Sequence, residues 1–336
     1  MTRAATRTGE GVLERDHELA VLSDVLRAAA SERGGLVWVE GPAGIGKTRL
    51  LDAARERAAA LGMTVLAARA ARLERDFAFG VVRGLFETLV ARRPGLLAGA
   101  ARLAAPVVSS GPASPPGGDT DAGSALHGLY WLTANLAEAG PVLLVVDDAH
   151  VADAASLRAI AYLARRVSEL GVAIVLGAQP PAVHTASPLV DALREAGTTT
   201  VLRPAPLSRD GIEALVRCRF AGSPDPSFTA ACHEVTGGNP LLVHALLAAV
   251  AEAGGDADRA GAETVAALAP AVVATFVARR LRESGTEAAT VARAVALLDG
   301  RAELRHVVAV SGLDPAVVSR GRRRWSGRSC CTRAGR

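Results

Sequence analysis

The sequence predicts an α/β protein, built on a doubly wound, mainly parallel sheet and continued by a helical region. Three observations predict it. Short runs rich in Val, Ile and Leu alternate with amphipathic helical patterns, strand signals stop at Pro206, and a glycine-rich turn joins the first apolar run to a helix.

The five runs lie at 36–40, 64–68, 142–147, 172–177 and 199–202. Each is short and rich in Val, Ile or Leu, and is expected to be a buried strand. Helical patterns at 48–60, 79–90, 125–139 and 156–170 carry apolar residues three or four apart, with charges on the other side. Strand followed by helix, repeated, folds most simply as a parallel sheet between two helical layers. Residues 109–124, SSGPASPPGGDTDAGS, have turn-forming composition without an apolar period and read as a mobile surface insertion. Beyond Pro206, helices are expected at 208–219, 226–235, 240–253, 263–283 and 286–299, with a shorter pair to about 320. No internal repeat is visible.

With 336 residues, half of them hydrophobic, the chain can bury a sizeable core. The 38 basic and 34 acidic residues are well mixed, which argues against a broad nucleic-acid-binding field. The excess is mostly terminal: Arg3 and Arg7 in a polar leader over 1–12, and Arg322, Arg323 and Arg324 near the other end. No run of eighteen uncharged apolar residues exists, and the N-terminus lacks the apolar segment of a signal peptide, so the expectation is a cytoplasmic protein without membrane contact. The cysteines at 218, 232, 330 and 331 show no metal-ligand spacing and are expected to be reduced. Few aromatics with abundant Ala and Arg indicate a GC-rich coding bias, which weakens inference from any single arginine.

That bias sharpens one site. Gly41-Pro42-Ala43-Gly44-Ile45-Gly46-Lys47-Thr48 contains the only lysine among the 38 basic residues. The stretch follows the run LVWVE and opens the helix TRLLDAARERAAA, the context of a phosphate-binding P-loop. The glycines let backbone N–H groups of the loop close around phosphate oxygens, and the helix N-terminus adds partial positive charge. Lys47, expected as a solvent-side cation, reaches the β- and γ-phosphates as a compact ammonium, where a forked guanidinium is too bulky. Thr48 would hold Mg²⁺ through its hydroxyl. Arg49 completes the nucleotide-binding stretch. The competing reading is a chance lysine in a glycine-rich turn.

The run PVLLVVDDAH ends in Asp147 and Asp148. Asp147 is expected to bind Mg²⁺, directly or through water, and Asp148 to polarise the attacking water as general base or water-positioning group. Alternatively, both are solvated carboxylates that cap the helix starting near Asp153. His150 reads as a loop residue. Gln179, ending the run VAIVLGAQP, either senses the γ-phosphate from the neighbouring strand or is a surface polar residue. Gly237-Gly238-Asn239-Pro240 precede a helix with Pro240 in its first turn, which helix-start chemistry explains by itself.

Together these segments resemble the nucleotide-binding module of the large ATP-binding LuxR-type transcriptional regulators, members of the STAND class of P-loop ATPases. The resemblance covers about 13–320 and rests on LERDHELAVLSDVL, the P-loop, DFAFGVVRGLFETLV, LLVVDDAHVADAASLRAIAYLARR, LRPAPLSRDGIEALV and TGGNPLLVHALL. It implies a P-loop ATPase domain over 13–206, a helical lid over 207–262 and a partial winged-helix-like domain over 263–320. It further implies ATP or ADP with Mg²⁺ as ligands, slow hydrolysis of ATP to ADP and phosphate, and self-association in the ATP state. Arg15 would lie near the nucleotide, and Pro240 would touch base or phosphates. Two positions depart from the pattern: Val151 stands where the family often has Trp, and Gln179 where it often has Arg, which removes a fixed cation from the γ-phosphate. Family members continue through a helical-repeat sensor region to a DNA-binding helix-turn-helix, and this sequence contains neither. It therefore reads as truncated, with no sequence-specific DNA binding expected.

The stretch VSRGRRRWSGRSCCTRAGR breaks the amphipathic pattern at Gly321. Three readings of 321–336 compete: a basic tail that binds nucleic acid, an ordinary solvated tail, and a reading-frame slip. Read one base earlier, CGN arginine codons become NCG codons for small residues, and TGC-TGC becomes NTG-CTG, which restores helix-like patterning. Two other functional readings also stand: a P-loop enzyme that passes phosphate to a small acceptor, which would need its own acceptor pocket, and an inert fragment.

Overall fold

The computed structural model describes residues 12–109, 119–180, 188–195, 199–284, 286–298 and 303–319. The leader before residue 12, most of the expected insertion, and the tail with Arg322 to Arg328, Cys330 and Cys331 lie outside the described residues.

In chain order the elements are α1 (Asp16–Ala30), β1 (Gly35–Glu40), α2 (Lys47–Ala60), β2 (Thr64–Arg69), α3 (Gly80–Arg92), α4 (Ala105–Val108), α5 (Asp119–Glu138), β3 (Val142–Asp147), α6 (Ala154–Ala164), β4 (Val172–Ala178), α7 (Pro188–Arg194) and β5 (Thr199–Leu202). The helices α8 (Arg209–Arg219), α9 (Pro226–Thr236), α10 (Pro240–Glu252), α11 (Arg259–Ser284), α12 (Thr286–Leu297) and α13 (Leu304–Ser311) follow. After β5 no strand occurs among the described residues.

The five strands form one parallel sheet in the order β2-β3-β4-β1-β5. Alternation along each strand feeds two cores. Leu36 and Trp38 of β1, Leu144 and Val146 of β3, and Ile174 and Leu176 of β4 pack with α3, α5, α6 and α7. Their neighbours Val37, Val39, Leu143, Val145, Ala173 and Val175 pack with α1 and α2 on the opposite face. Burial on both sides, at about 1.5–3 kcal/mol for each large aliphatic side chain, explains why these strands read as continuous apolar runs. Because β1 and β3 both flank β4, the topology brings the ends of all three to one edge of the sheet.

Two helices differ from the sequence expectation. Residues 119–124, expected within the mobile insertion, are the first turns of α5. The helix continues a buried stripe of Ala125, Leu129, Leu132 and Leu136, and at Gly128 it approaches the backbone of Leu103 and Ala104 so closely that a Cβ would lie 2.6 Å or less from both. Tertiary packing overrides local turn composition here. The helix expected over 156–170 starts at Ala154, because Asp153 caps it by accepting from Ser156 N–H at 2.8 Å. It ends at Ala164, and a 3-10 turn at Val167–Glu169 buries Val167 instead.

The chain divides into two compact units, one of Met1–Gly41, Gly46–Pro180 and Ala186–Pro204, the other of Pro42–Ile45, Pro181–Thr185 and Ala205–Arg336. In the second, α11 packs on α9, α10 and α12 and runs through position 262 without a break, although Pro270 lies inside it. By length and composition alone, its stretch Arg259–Arg282 could cross a membrane. Glu263 and Arg279 interrupt the apolar run.

Candidate nucleotide-binding site

The site begins where β1 runs out. Gly41 N–H still donates to Ala178 O of β4 at 3.1 Å, and the chain then leaves the sheet. Gly44 (φ +83°) and Gly46 (φ +104°) hold left-handed conformations that L side chains rarely adopt, and Gly46 is the N-cap of α2. This curl turns the loop over Lys47. Contrary to the sequence expectation, the lysine is not on the solvent side: it is 6% exposed, with Nζ donating to Gly41 O at 2.9 Å. The cause is that the ammonium lies inside the loop's own curve, where a backbone carbonyl satisfies it. Pro42 and Thr48 are exposed, as is Arg49, which lies one position further along α2.

Thr48 Oγ1 donates to Asp147 Oδ2 at 2.7 Å, joining the two motifs. Asp147 is buried, and its Oδ1 accepts the N–H of Asp148 at 2.9 Å. Gly177 of β4 makes room for this carboxylate: a Cβ there would lie 2.9 Å from Asp147 Oδ1 and 3.2 Å from Leu51 Cδ2. A hydroxyl and a carboxylate side by side are the oxygen donors that Mg²⁺ takes from protein when phosphates and water complete its shell. These residues therefore fit a Mg²⁺-nucleotide.

Asp148 adopts φ +55°, a conformation that Asp tolerates better than most residues. Its Oδ2 accepts from both Nε (3.2 Å) and Nη2 (3.0 Å) of Arg69, at the end of β2. That hydrogen bond, followed by the charge of Asp148, raises the Arg69 pKa. Arg69 is 72% exposed, so the pair orients the carboxylate more than it stabilises the fold.

His150 lies in the connection between β3 and α6 and is buried. Its Nδ1 accepts the Gln179 N–H at 3.3 Å, which ties the segment after β3 to the end of β4. Burial, then the charges of Lys47 and Arg72, push the imidazole down to about 3. Gln179 itself is half-buried one residue past β4. Arg15 sits at the N-cap of α1, 3% exposed, with Nη1 donating to Glu14 O at 2.8 Å. Pro240 occupies the first turn of α10 and is half-buried.

Three groups at this edge escaped the sequence reading. Asp153 caps α6 and also accepts the N–H groups of Phe79 (2.8 Å) and Val81 (3.3 Å), so one buried carboxylate serves the starts of α3 and α6. Glu40, buried at the end of β1, meets Arg203 Nε at 2.9 Å and Arg194 Nη1 at 3.6 Å. Arg69 was lost among many arginines. Only the helix-start position of Asp153 offered a usable signal.

The sheet order and the loop between β1 and α2 settle the class. The fold is that of the P-loop NTPases. Residues 12–175, just under half of the chain, match the family model described as the AAA ATPase domain, a stretch that includes Lys47, Thr48, Asp147 and Asp148. Such modules bind nucleotide, typically with Mg²⁺. Cdc6p from Pyrobaculum aerophilum is similar in structure at 17% identity and a TM-score of 0.50, covering 74% of this chain and 64% of its own. The chain thus spans less than two thirds of that protein. The Walker-type ATPase of Pyrococcus abyssi is similar at 14% identity and a TM-score of 0.54, over 93% of this chain and 89% of its own. A looser likeness, with a TM-score of 0.45 and 15% identity, is to a STAND protein with a tetratricopeptide repeat sensor from Pyrococcus horikoshii, over 97% of this chain and 43% of that one. No curated protein matches the chain.

Proposed function

We propose that this chain is the ATP-binding, slowly hydrolysing switch module of a LuxR-type regulator of the STAND class. The observation that carries the nucleotide site is the Thr48–Asp147 hydrogen bond, which unites two motifs 99 positions apart beside the P-loop. The order and wording of the six segments over 13–320 support the regulator class.

In this reading the loop from Gly41 to Gly46 cradles phosphates with its N–H groups, and Lys47 turns from Gly41 O to the β- and γ-phosphates. Thr48 and Asp147 hold Mg²⁺, which offsets negative charge on the phosphates when bound. Asp148, oriented by Arg69 through Oδ2, positions the water that attacks the γ-phosphorus. Arg49, Arg15, Gln179 and Pro240 complete the nucleotide's surroundings, with Gln179 sensing the γ-phosphate. Residues 207–262 act as the lid and 263–320 as a partial winged-helix-like domain. A lid that binds one nucleotide state more tightly shifts the population between a closed ADP form and a self-associating ATP form. Sequence-specific DNA binding is not part of this role, since reading bases needs a helix seated in the major groove.

Nucleotide-dependent thermal shift combined with an ATPase assay tests the reading. Stabilisation by ATP and ADP with slow phosphate release supports it. Absence of any shift at millimolar nucleotide with Mg²⁺ overturns it.

A further inference from the structure

Four residues of the P-loop, Pro42–Ile45, group with the helical unit. Asn239 of the same unit, the N-cap of α10, uses both ends of its amide. Oδ1 accepts from Leu241 N (3.1 Å) and Leu242 N (3.5 Å), the ordinary work of a helix cap. Nδ2 donates in the other direction, to Ala43 O at 3.0 Å. Leu241 N–H also reaches Gly44 O at 3.2 Å. Two successive loop carbonyls are thus held by the start of one helix. The approach is tight enough to exclude a side chain at position 44, where a Cβ would lie 2.6 Å from Asn239 Oδ1 and 2.7 Å from Leu241 Cβ.

A trans peptide points its C=O and the following N–H in opposite directions. Holding the carbonyls of Ala43 and Gly44 toward α10 therefore directs the N–H groups of Gly44 and Ile45 away from it. Ile45 N–H turns back into the loop, onto Pro42 O at 3.4 Å, a bond long enough to be exchanged for one to a phosphate oxygen. Among good capping residues, Asp offers only acceptors, Ser and Thr are too short to do both tasks, and Gly has no side chain. Asn alone caps the helix and donates beyond it.

We propose that Asn239 is a positioning residue for the phosphate cradle, setting the direction of its N–H groups through the loop carbonyls. The proposal deepens the nucleotide-switch reading and rests on it for its consequence. A displacement of α10 reaches the cradle through these bonds, and by linkage phosphate binding biases α10 by the same free energy.

The test compares the full chain with Asn239→Ser, which keeps a cap but loses the Nδ2 donor, and Asn239→Ala, which loses both. Amide hydrogen exchange without nucleotide is read over 41–48 and over α10, and ATP affinity is measured by calorimetry. Asn239→Ser should speed P-loop exchange and weaken ATP binding, each about fivefold, the factor that one hydrogen bond of about 1 kcal/mol carries, while α10 keeps its protection. Asn239→Ala should add loss of protection in α10. Wild-type exchange and affinity in Asn239→Ser would overturn the proposal. If Asn239→Ser also unravels α10, Asn239→Asp, a stronger cap without the donor, decides by its P-loop exchange. If the wild-type chain binds no ATP, the switch reading falls, and exchange alone decides the positioning role.

Discussion

Thr48 and Asp147 meet through a 2.7 Å hydrogen bond from Oγ1 to Oδ2, although 99 positions separate them. The bond places the first residue after the P-loop lysine against the end of β3, across the intervening strand β4.

Lys47→Ala should abolish measurable nucleotide binding. The ammonium bonds within its own loop and fills no hydrophobic core, so the variant should still fold. At one hundred times its Kd, ATP should stabilise the wild-type chain by about 2.7 kcal/mol and the variant not at all. Equal thermal shifts in both would remove the P-loop from the site.

Asp147→Asn should weaken the Mg²⁺ dependence of nucleotide binding, because it replaces a charged oxygen beside Thr48 with a neutral amide. Asp148→Asn should leave binding intact and slow phosphate release. Asn tolerates the φ of +55° at that position, so backbone strain does not confuse the result. Wild-type hydrolysis rates in both variants would show that the carboxylates do not serve the reaction.

Gly177→Ala places a methyl group 2.9 Å from Asp147 Oδ1 and 3.2 Å from Leu51 Cδ2. Overpacking of this kind costs about 1–3 kcal/mol, readable as a lower urea midpoint. Because the displaced atom belongs to Asp147, Mg²⁺-dependent nucleotide affinity should fall as well. A stability loss with unchanged Mg²⁺ dependence would separate Gly177 from the site.

His150 predicts a pH dependence of stability. Its folded value of about 3 lies below the ordinary 6.5, through burial first and then the charges of Lys47 and Arg72. As pH falls below 6.5, the unfolded chain takes up a proton that the folded chain refuses, so folding loses stability down to about pH 3. Between pH 7 and 5 the loss from this residue approaches about 2 kcal/mol. In His150→Gln that part of the slope should vanish in urea titrations at the two pH values. An unchanged slope would assign the effect to other groups.

The sheet was legible from sequence because both faces of its three central strands are covered: 36–40, 142–147 and 172–177 carry little but apolar side chains, a pattern few solvent-exposed segments sustain, whereas the edge strands β2 and β5 are only partly buried. The P-loop was legible because backbone curvature and phosphate charge demand glycines and a lysine at fixed spacing, in a chain otherwise supplied only with arginine. The partners of those residues were not. Arg69 against Asp148, Gly177 beneath Asp147, His150 against Gln179 N–H and Asn239 against Ala43 O are separated by 79, 30, 29 and 196 positions. Such pairings leave no periodic trace, because they depend on which strand lies beside which and on the way each helix starts. The order β2-β3-β4-β1-β5 decides the first three, bringing side chains with unremarkable local sequence to one edge. The last was decided by a cap whose second hydrogen bond only the folded chain can supply.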